Sequence, residues 1–208
     1  MTVFSADDAG TLLRILRWRR DVRHFHPDPI PEPVLDRLCA AMDCSPSVGN
    51  ARPWRVIRVE DPALRAALRA NFEAANAEAR ESYRGARAEA YGRLKLAGLD
   101  KAPVLLAVFT DMAPEAGERL GRATMSETLR QSTAMAIHTL WLAARVENLG
   151  LGMVSILEPQ KVKALFGAPD CWEFSALLCI GRSEFDDDTP LLHRTGWQEN
   201  SATCWQRR

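Results

Sequence analysis

Residues 124–148 constrain this chain most. Met125, Leu129, Met135, Ile137, Leu140, Leu142, Ala143 and Val146 recur at helical spacing. Near its middle the segment is apolar almost all round. A helix of that kind belongs either in a core or in a dimer interface, because it has no polar face to give to water. Leu149-Gly150 is expected to end it. The chain supplies several short apolar runs that can cover such a helix. Residues 103–110, Pro-Val-Leu-Leu-Ala-Val-Phe-Thr, read as a buried strand. Residues 54–60 alternate as a strand, and 151–157 and 174–181 read as two more.

The remaining segments are helical. Residues 7–20 carry apolar positions at Leu12, Leu13, Ile15 and Leu16, with Asp7 or Asp8 as the cap. Residues 31–43 begin at Pro31 and turn Val34, Leu35, Leu38 and Met42 inward. Asp61-Pro62 opens a long Ala-, Glu- and Arg-rich helix to about residue 84. Its polarity and Gly85 predict an exposed excursion, with a lid over residues 82–101. Pro159 starts a short helix over 159–166. The tail, 186–208, is polar and turn-rich, with Trp197 and Trp205 as candidate anchors. With 208 residues and no internal repeat, one domain, 1–208, is expected.

Arg19-Arg20-Asp21-Val22-Arg23 stops just before Phe25-His26-Pro27, where the chain must turn. Guanidinium forks match phosphate oxygens, so an anion suits this cluster. A carboxylate among those cations can stay ionised and be aimed at chemistry. Ser45-Pro46-Ser47-Val48-Gly49-Asn50-Ala51-Arg52-Pro53-Trp54 makes a fixed turn with little bulk, which lets backbone donors approach a flat ligand. Lys plus Arg and Asp plus Glu both number 27, so no general basic surface exists for nucleic acid. The positive charge near residue 20 is local, and a small anion is its better partner.

The five cysteines are an odd count with no CxxC or metal-ligand spacing. Cys39 and Cys179 are expected as buried thiols. A reducing, cytoplasmic setting is the simplest reading. The four histidines show no metal spacing, so no metal is expected. Neither a signal peptide nor a membrane span is evident.

Arg-Arg-Asp-Val-Arg followed by Pro-Ser-Val-Gly-x-x-x-Pro-Trp resembles the nitroreductase superfamily of FMN proteins. Taken with Gly150-Leu151-Gly152-Met153-Val154-Ser155-Ile156, Asp21 points within it to the group that breaks down its own reduced flavin. That group thereby makes the lower ligand of cobalamin. Arg93-Leu94-Lys95-Leu96-Ala97-Gly98-Leu99 resembles the family's lid, and Cys179-Ile180-Gly181 and Gly196-Trp197 its end. The resemblance runs from about Leu12 to Gln198. It implies an α+β fold: a central mixed, mostly antiparallel sheet flanked by helices, in an intertwined homodimer whose C-terminal part crosses to the partner.

By the same resemblance, Arg19, Arg20 and Arg23 serve the phosphate, ribityl chain and ring edge of FMN, with Val22 beside them. Ser47, Val48 and Gly49 contact the flavin of the other subunit. Leu96 and Gly98 cover the site. Arg182 is either a further phosphate cation or a surface residue. Asp21 and Ser155 are the catalytic candidates: a carboxylate repels an anionic reduced flavin, so it needs another purpose, and proton shuttling supplies one. Reduced FMN would be substrate, dioxygen the oxidant, and a separate flavin reductase the supplier. Arg52, Ala97, Gln131 and His138 depart from the family's usual residues. Three other readings stay open: a conventional reductase using NAD(P)H, a reductase of corrin cobalt, and a flavin binder without catalysis.

Overall fold

The computed structural model describes residues 2–94 and 96–207. Lys95, within the expected lid motif, lies outside them. Four strands form one sheet in the order β1-β2-β4-β3: β1 (Trp54–Arg58), β2 (Val104–Asp111), β3 (Gly150–Val154) and β4 (Trp172–Gly181). All three ladders are antiparallel. Among the described residues, the expected mixed character survives as an isolated parallel bridge between Asp21 and Leu151.

Strand periodicity sorts the core into two layers. On β4, Leu177 and Cys179 face one side with Leu105, Phe109 and Val154. Ala176, Leu178 and Ile180 face the other with Val108, Leu140 and Leu151. Helices α3 (Pro62–Glu81) and α6 (Pro159–Leu165) help cover the first face, and α2 (Glu32–Asp43) and α5 (Glu127–Val146) the second. The long apolar helix thus does enter the core: Leu129, Ala136, Ile137, Leu140 and Ala144 are buried. Met125, Met135 and Val146 stay exposed.

Several expected boundaries shift for identifiable reasons. Helix α1 spans Ala6–Trp18, and its cap is Ser5. Asp8 is instead the third helical residue, closing a capping box with Ser5. The apolar side of α1 buries no residue fully, and Leu12 and Leu13 remain exposed. The long polar helix stops at Glu81, and a separate helix, α4 (Gly85–Arg93), follows. Helix α5 is left not through Gly150 but through Asn148, which takes the left-handed conformation at φ 57°. Gly150 already belongs to β3. Cys39 is exposed, contrary to expectation. It sits one position, about 100° of helix rotation, past the buried Leu38. Cys179 is fully buried, and burial pushes its thiol up to about 12.

The tail is fastened to its own chain as far as Trp197. Helix α7 (Leu191–Arg194) follows Pro190, and Arg145 pairs with Asp186 at 2.7 Å. Trp197 is an anchor as expected; Trp205 is not, being 93% exposed.

Candidate functional site

After α1 the chain runs past β3. The Val22 amide donates to the Leu151 carbonyl at 3.1 Å. This approach explains the glycines of β3. A Cβ on Gly152 would stand 2.1 Å from the Val22 carbonyl oxygen and 2.9 Å from Arg23 Nη1. One on Gly150 would stand 2.8 Å from Val22 Cγ2. The Gly-Leu-Gly stretch exists so that residues 21–23 can lie against the strand.

Asp21 and Arg23 are then locked to Met153. The Met153 amide donates to Asp21 Oδ1 at 3.0 Å. Arg23 Nη2 donates to the Met153 carbonyl at 2.8 Å and also pairs with Asp21 Oδ2. The Arg23 side chain is only 11% exposed, whereas that of Asp21 keeps 45%, on its open side. Burial against the strand raises the Asp21 carboxyl above the ordinary carboxylate range, opposed by Arg23, the Met153 amide and Arg19. The result is a fixed carboxyl able to hold or release a proton.

Arg19 lies over Trp141, 4.9 Å from the ring centroid. The Trp141 indole N–H donates to the Arg20 carbonyl at 3.1 Å, so α5 aims both arginines. Arg20 donates back to the carbonyls of Leu16 and Arg17 at the end of α1. Burial and the neighbouring Arg19 charge lower the Arg20 pKa, the sign of a crowded cationic site. Arg19 Nε, Arg20 Nε and Arg23 Nη1 are buried with no hydrogen-bond partner among the described residues. A buried unpaired donor costs about 1–3 kcal/mol, so an anion accepting from these nitrogens would be favoured. The donor set fits a phosphorylated flavin.

A cavity of about 290 Å³ covers Arg19, Arg20, Asp21 and Arg23, walled by Leu94, Leu96, Pro190, Leu191 and Leu192. A second, of about 540 Å³, shares Arg19 and is lined by Ile137, His138, Trp141, Met153, Phe174 and Ser175. Ser175 reaches it because β4 carries one extra residue there: Val108 pairs with Ala176 and Phe109 with Phe174. Its hydroxyl shares a hydrogen bond of 2.8 Å with Thr110. Cavities of a few hundred Å³ that set apolar walls against a small set of convergent charged groups are those of small-molecule sites.

The structure thus gathers Arg19, Arg20, Asp21, Arg23 and Leu96. Val22 packs beside them on Gly150. Ser155 is exposed one residue past β3, and neither cavity includes it among its lining residues. Gly98 lies in the loop after α4, where a Cβ would meet Phe25 Cε2 at 2.3 Å. Arg182 is exposed, and its carbonyl accepts the His26 amide at 2.9 Å. Ser47, Val48 and Gly49 sit apart from both cavities, held by Ser132 of α5, whose hydroxyl accepts the Val48 amide at 3.0 Å. Arg52, the first unusual residue, takes φ 45°, pairs with Asp43 and lies over Trp54. Ala97 is buried, Gln131 is exposed, and His138 lines the larger cavity.

Sequence reasoning missed Met153 as a site residue, because it acts through its backbone and leaves no side-chain signal. It also missed Leu191 and Leu192, distant in sequence from everything they cover. Trp141 left a signal, an aromatic within the apolar segment 124–148, but nothing in the spacing sets it apart as a site residue. No group of acids, histidines and cysteines suited to a metal occurs among the described residues. No helix among them is long and apolar enough to cross a membrane.

Comparison with known proteins identifies the chain's relatives. The chain is 65% identical over 205 residues to the 5,6-dimethylbenzimidazole synthase of Rhodobacter capsulatus, covering 99% of each chain. It is 52% identical over 184 residues to the 5,6-dimethylbenzimidazole synthase of Rhodospirillum rubrum, covering 88% of this chain and 87% of that one. In fold it resembles an oxidized iodotyrosine deiodinase solved with FMN and 3-iodo-L-tyrosine. The TM-score is 0.76 at 23% identity, over 95% of this chain and 99% of that one. Residues 16–182 match the model of the nitroreductase family, and the chain belongs to that family.

Proposed function

We propose that the protein is a 5,6-dimethylbenzimidazole synthase, which with dioxygen breaks reduced FMN into dimethylbenzimidazole, a sugar-phosphate fragment and the remnant of the flavin's pyrimidine ring. The single observation that carries this reading is Asp21. A carboxyl fixed by the Met153 amide and Arg23, inside an arginine groove, opposes retention of a negatively charged reduced flavin. It is well suited to proton transfer. The full-length likeness to the Rhodobacter synthase supports the same activity.

Reduced FMN supplies the electrons and the carbon skeleton. Arg19, Arg20 and Arg23 hold its phosphate, ribityl chain and ring edge through the unpartnered guanidinium nitrogens. Asp21 exchanges protons at the ring, and Ser155 offers a hydroxyl past the end of β3. Leu96 covers the groove and Gly98 lets its loop seat on Phe25, keeping water out. Arg182 is a further cation for the phosphate. Ser47, Val48 and Gly49 complete the site of a second copy in a homodimer. Their distance from the groove in one chain, and exposed Met135 on α5 with Met125 just before it, support that assembly. A separate flavin reductase delivers the reduced flavin.

The test is a single turnover. FMN is bound, reduced chemically without air and exposed to dioxygen, and products are identified by mass. Dimethylbenzimidazole that disappears in Asp21→Asn is the expected result. Intact oxidised FMN as the sole product would replace this reading with a conventional reductase, which NAD(P)H oxidation would then reveal.

A further inference from the structure

We infer that Trp197 is a positioning residue for this site: it latches the C-terminal tail to α4, making one two-part roof over the arginine groove. The inference rests on the flavin-site reading above. One half of the roof is Leu94 and Leu96, which follow α4; the other is Leu191 and Leu192 of the tail.

Trp197 is the piece that ties the halves together. The Arg87 guanidinium of α4 lies 3.6 Å from its ring centroid, and Arg87 Nη2 donates to the Trp197 carbonyl at 2.9 Å. Tyr83 meets the indole edge-on at 5.4 Å, and Tyr91 lies tilted to it at 6.0 Å. The Tyr91 hydroxyl in turn donates to Asn76 Oδ1 of α3 at 2.7 Å, so the clasp is anchored in the body of the protein. On the tail side, the Trp197 amide donates to the Leu192 carbonyl at 2.9 Å, fixing the residue that walls the cavity. The tail's other end is pinned by Arg145 and Asp186. Trp197 itself does not line the cavity. It acts through Leu191 and Leu192, and the groove can open fully only when the indole leaves α4.

The experiment uses the full chain. FMN release is timed by recovery of flavin fluorescence in wild type, Trp197→Ala, Trp197→Phe and Arg87→Ala. The split of a single turnover is measured in the same proteins. A loose roof lets two electrons and two protons pass from reduced flavin to dioxygen, giving hydrogen peroxide and intact oxidised FMN. Trp197→Ala is expected to release FMN about tenfold faster and to shift the split toward hydrogen peroxide, with Trp197→Phe restoring most of both. Arg87 is exposed, so Arg87→Ala removes half the clasp without touching the core. It is expected to move release in the same direction. Wild-type release in both Trp197→Ala and Arg87→Ala would overturn the latch. If wild type itself forms no dimethylbenzimidazole, the synthase reading fails while the release rates still decide the latch.

Discussion

At the scale of single residues, the site depends on close backbone approach more than on side-chain reach. Gly152→Ala places a methyl group against the Val22 carbonyl oxygen, a backbone atom that cannot swing away. The expected outcome is a loss of about 1–3 kcal/mol or more, the usual cost of overpacking, with Arg23 displaced; urea denaturation and FMN titration check both. Asp21 makes a pH prediction with a definite sign. Its pKa is raised in the fold, so between the ordinary carboxylate value and the raised one the folded chain binds more protons than the unfolded chain. Stability must fall as pH rises through that window. Wild type minus Asp21→Asn in unfolding free energy should therefore decline with pH there and level off above it. A flat difference would remove the case for a raised carboxyl. Cys179 offers a third check. With its thiol buried and shifted to about 12, it should resist alkylation at pH 8 until the protein is denatured. Exposed Cys39, Cys44, Cys171 and Cys204 should react.

At the scale of elements, α5 organises the site at two points. Trp141 aims Arg19 and Arg20, and Ser132 holds the Val48 amide. Ser132→Ala leaves that half-buried N–H without its acceptor, an expected cost of about 1–3 kcal/mol. Thermal unfolding measures it, and faster hydrogen exchange at Val48 would place it in the loop. Much of this layer was legible in advance. The apolar spacing of 124–148 predicted a helix for a core or a dimer interface, and the continuous run at 103–110 predicted a buried strand. The end of the long helix near residue 84 was legible as well; what was not was that the lid segment beyond it opens with a helix of its own, α4. The role of Ser5 as a cap was likewise hidden by two aspartates closer to the apolar run.

At the scale of the whole molecule, exposed apolar side chains mark where a second copy would fit. Met135, at mid-α5, is 41% exposed beside the buried Ala136 and Ile137. If the homodimer forms along α5, sedimentation should give twice the mass of one chain. Met135→Arg should then shift the protein toward monomer and weaken FMN binding with it. A wild-type monomer that binds FMN tightly would argue that one chain completes the site alone.

What the sequence determined by itself was chemistry and periodicity: which residues are cationic, where a carboxylate sits among them, and which segments must hide an apolar face. Those properties are local, and they sufficed to mark Arg19, Arg20, Asp21 and Arg23 and the family they resemble. Only the tertiary structure decided the rest. It set Gly150 and Gly152 against Val22, made the Met153 backbone a ligand of both Asp21 and Arg23, and brought Leu191 and Leu192 over the groove. Those contacts join parts of the chain more than a hundred residues apart, and backbone groups, identical in every residue, leave no trace in composition or spacing.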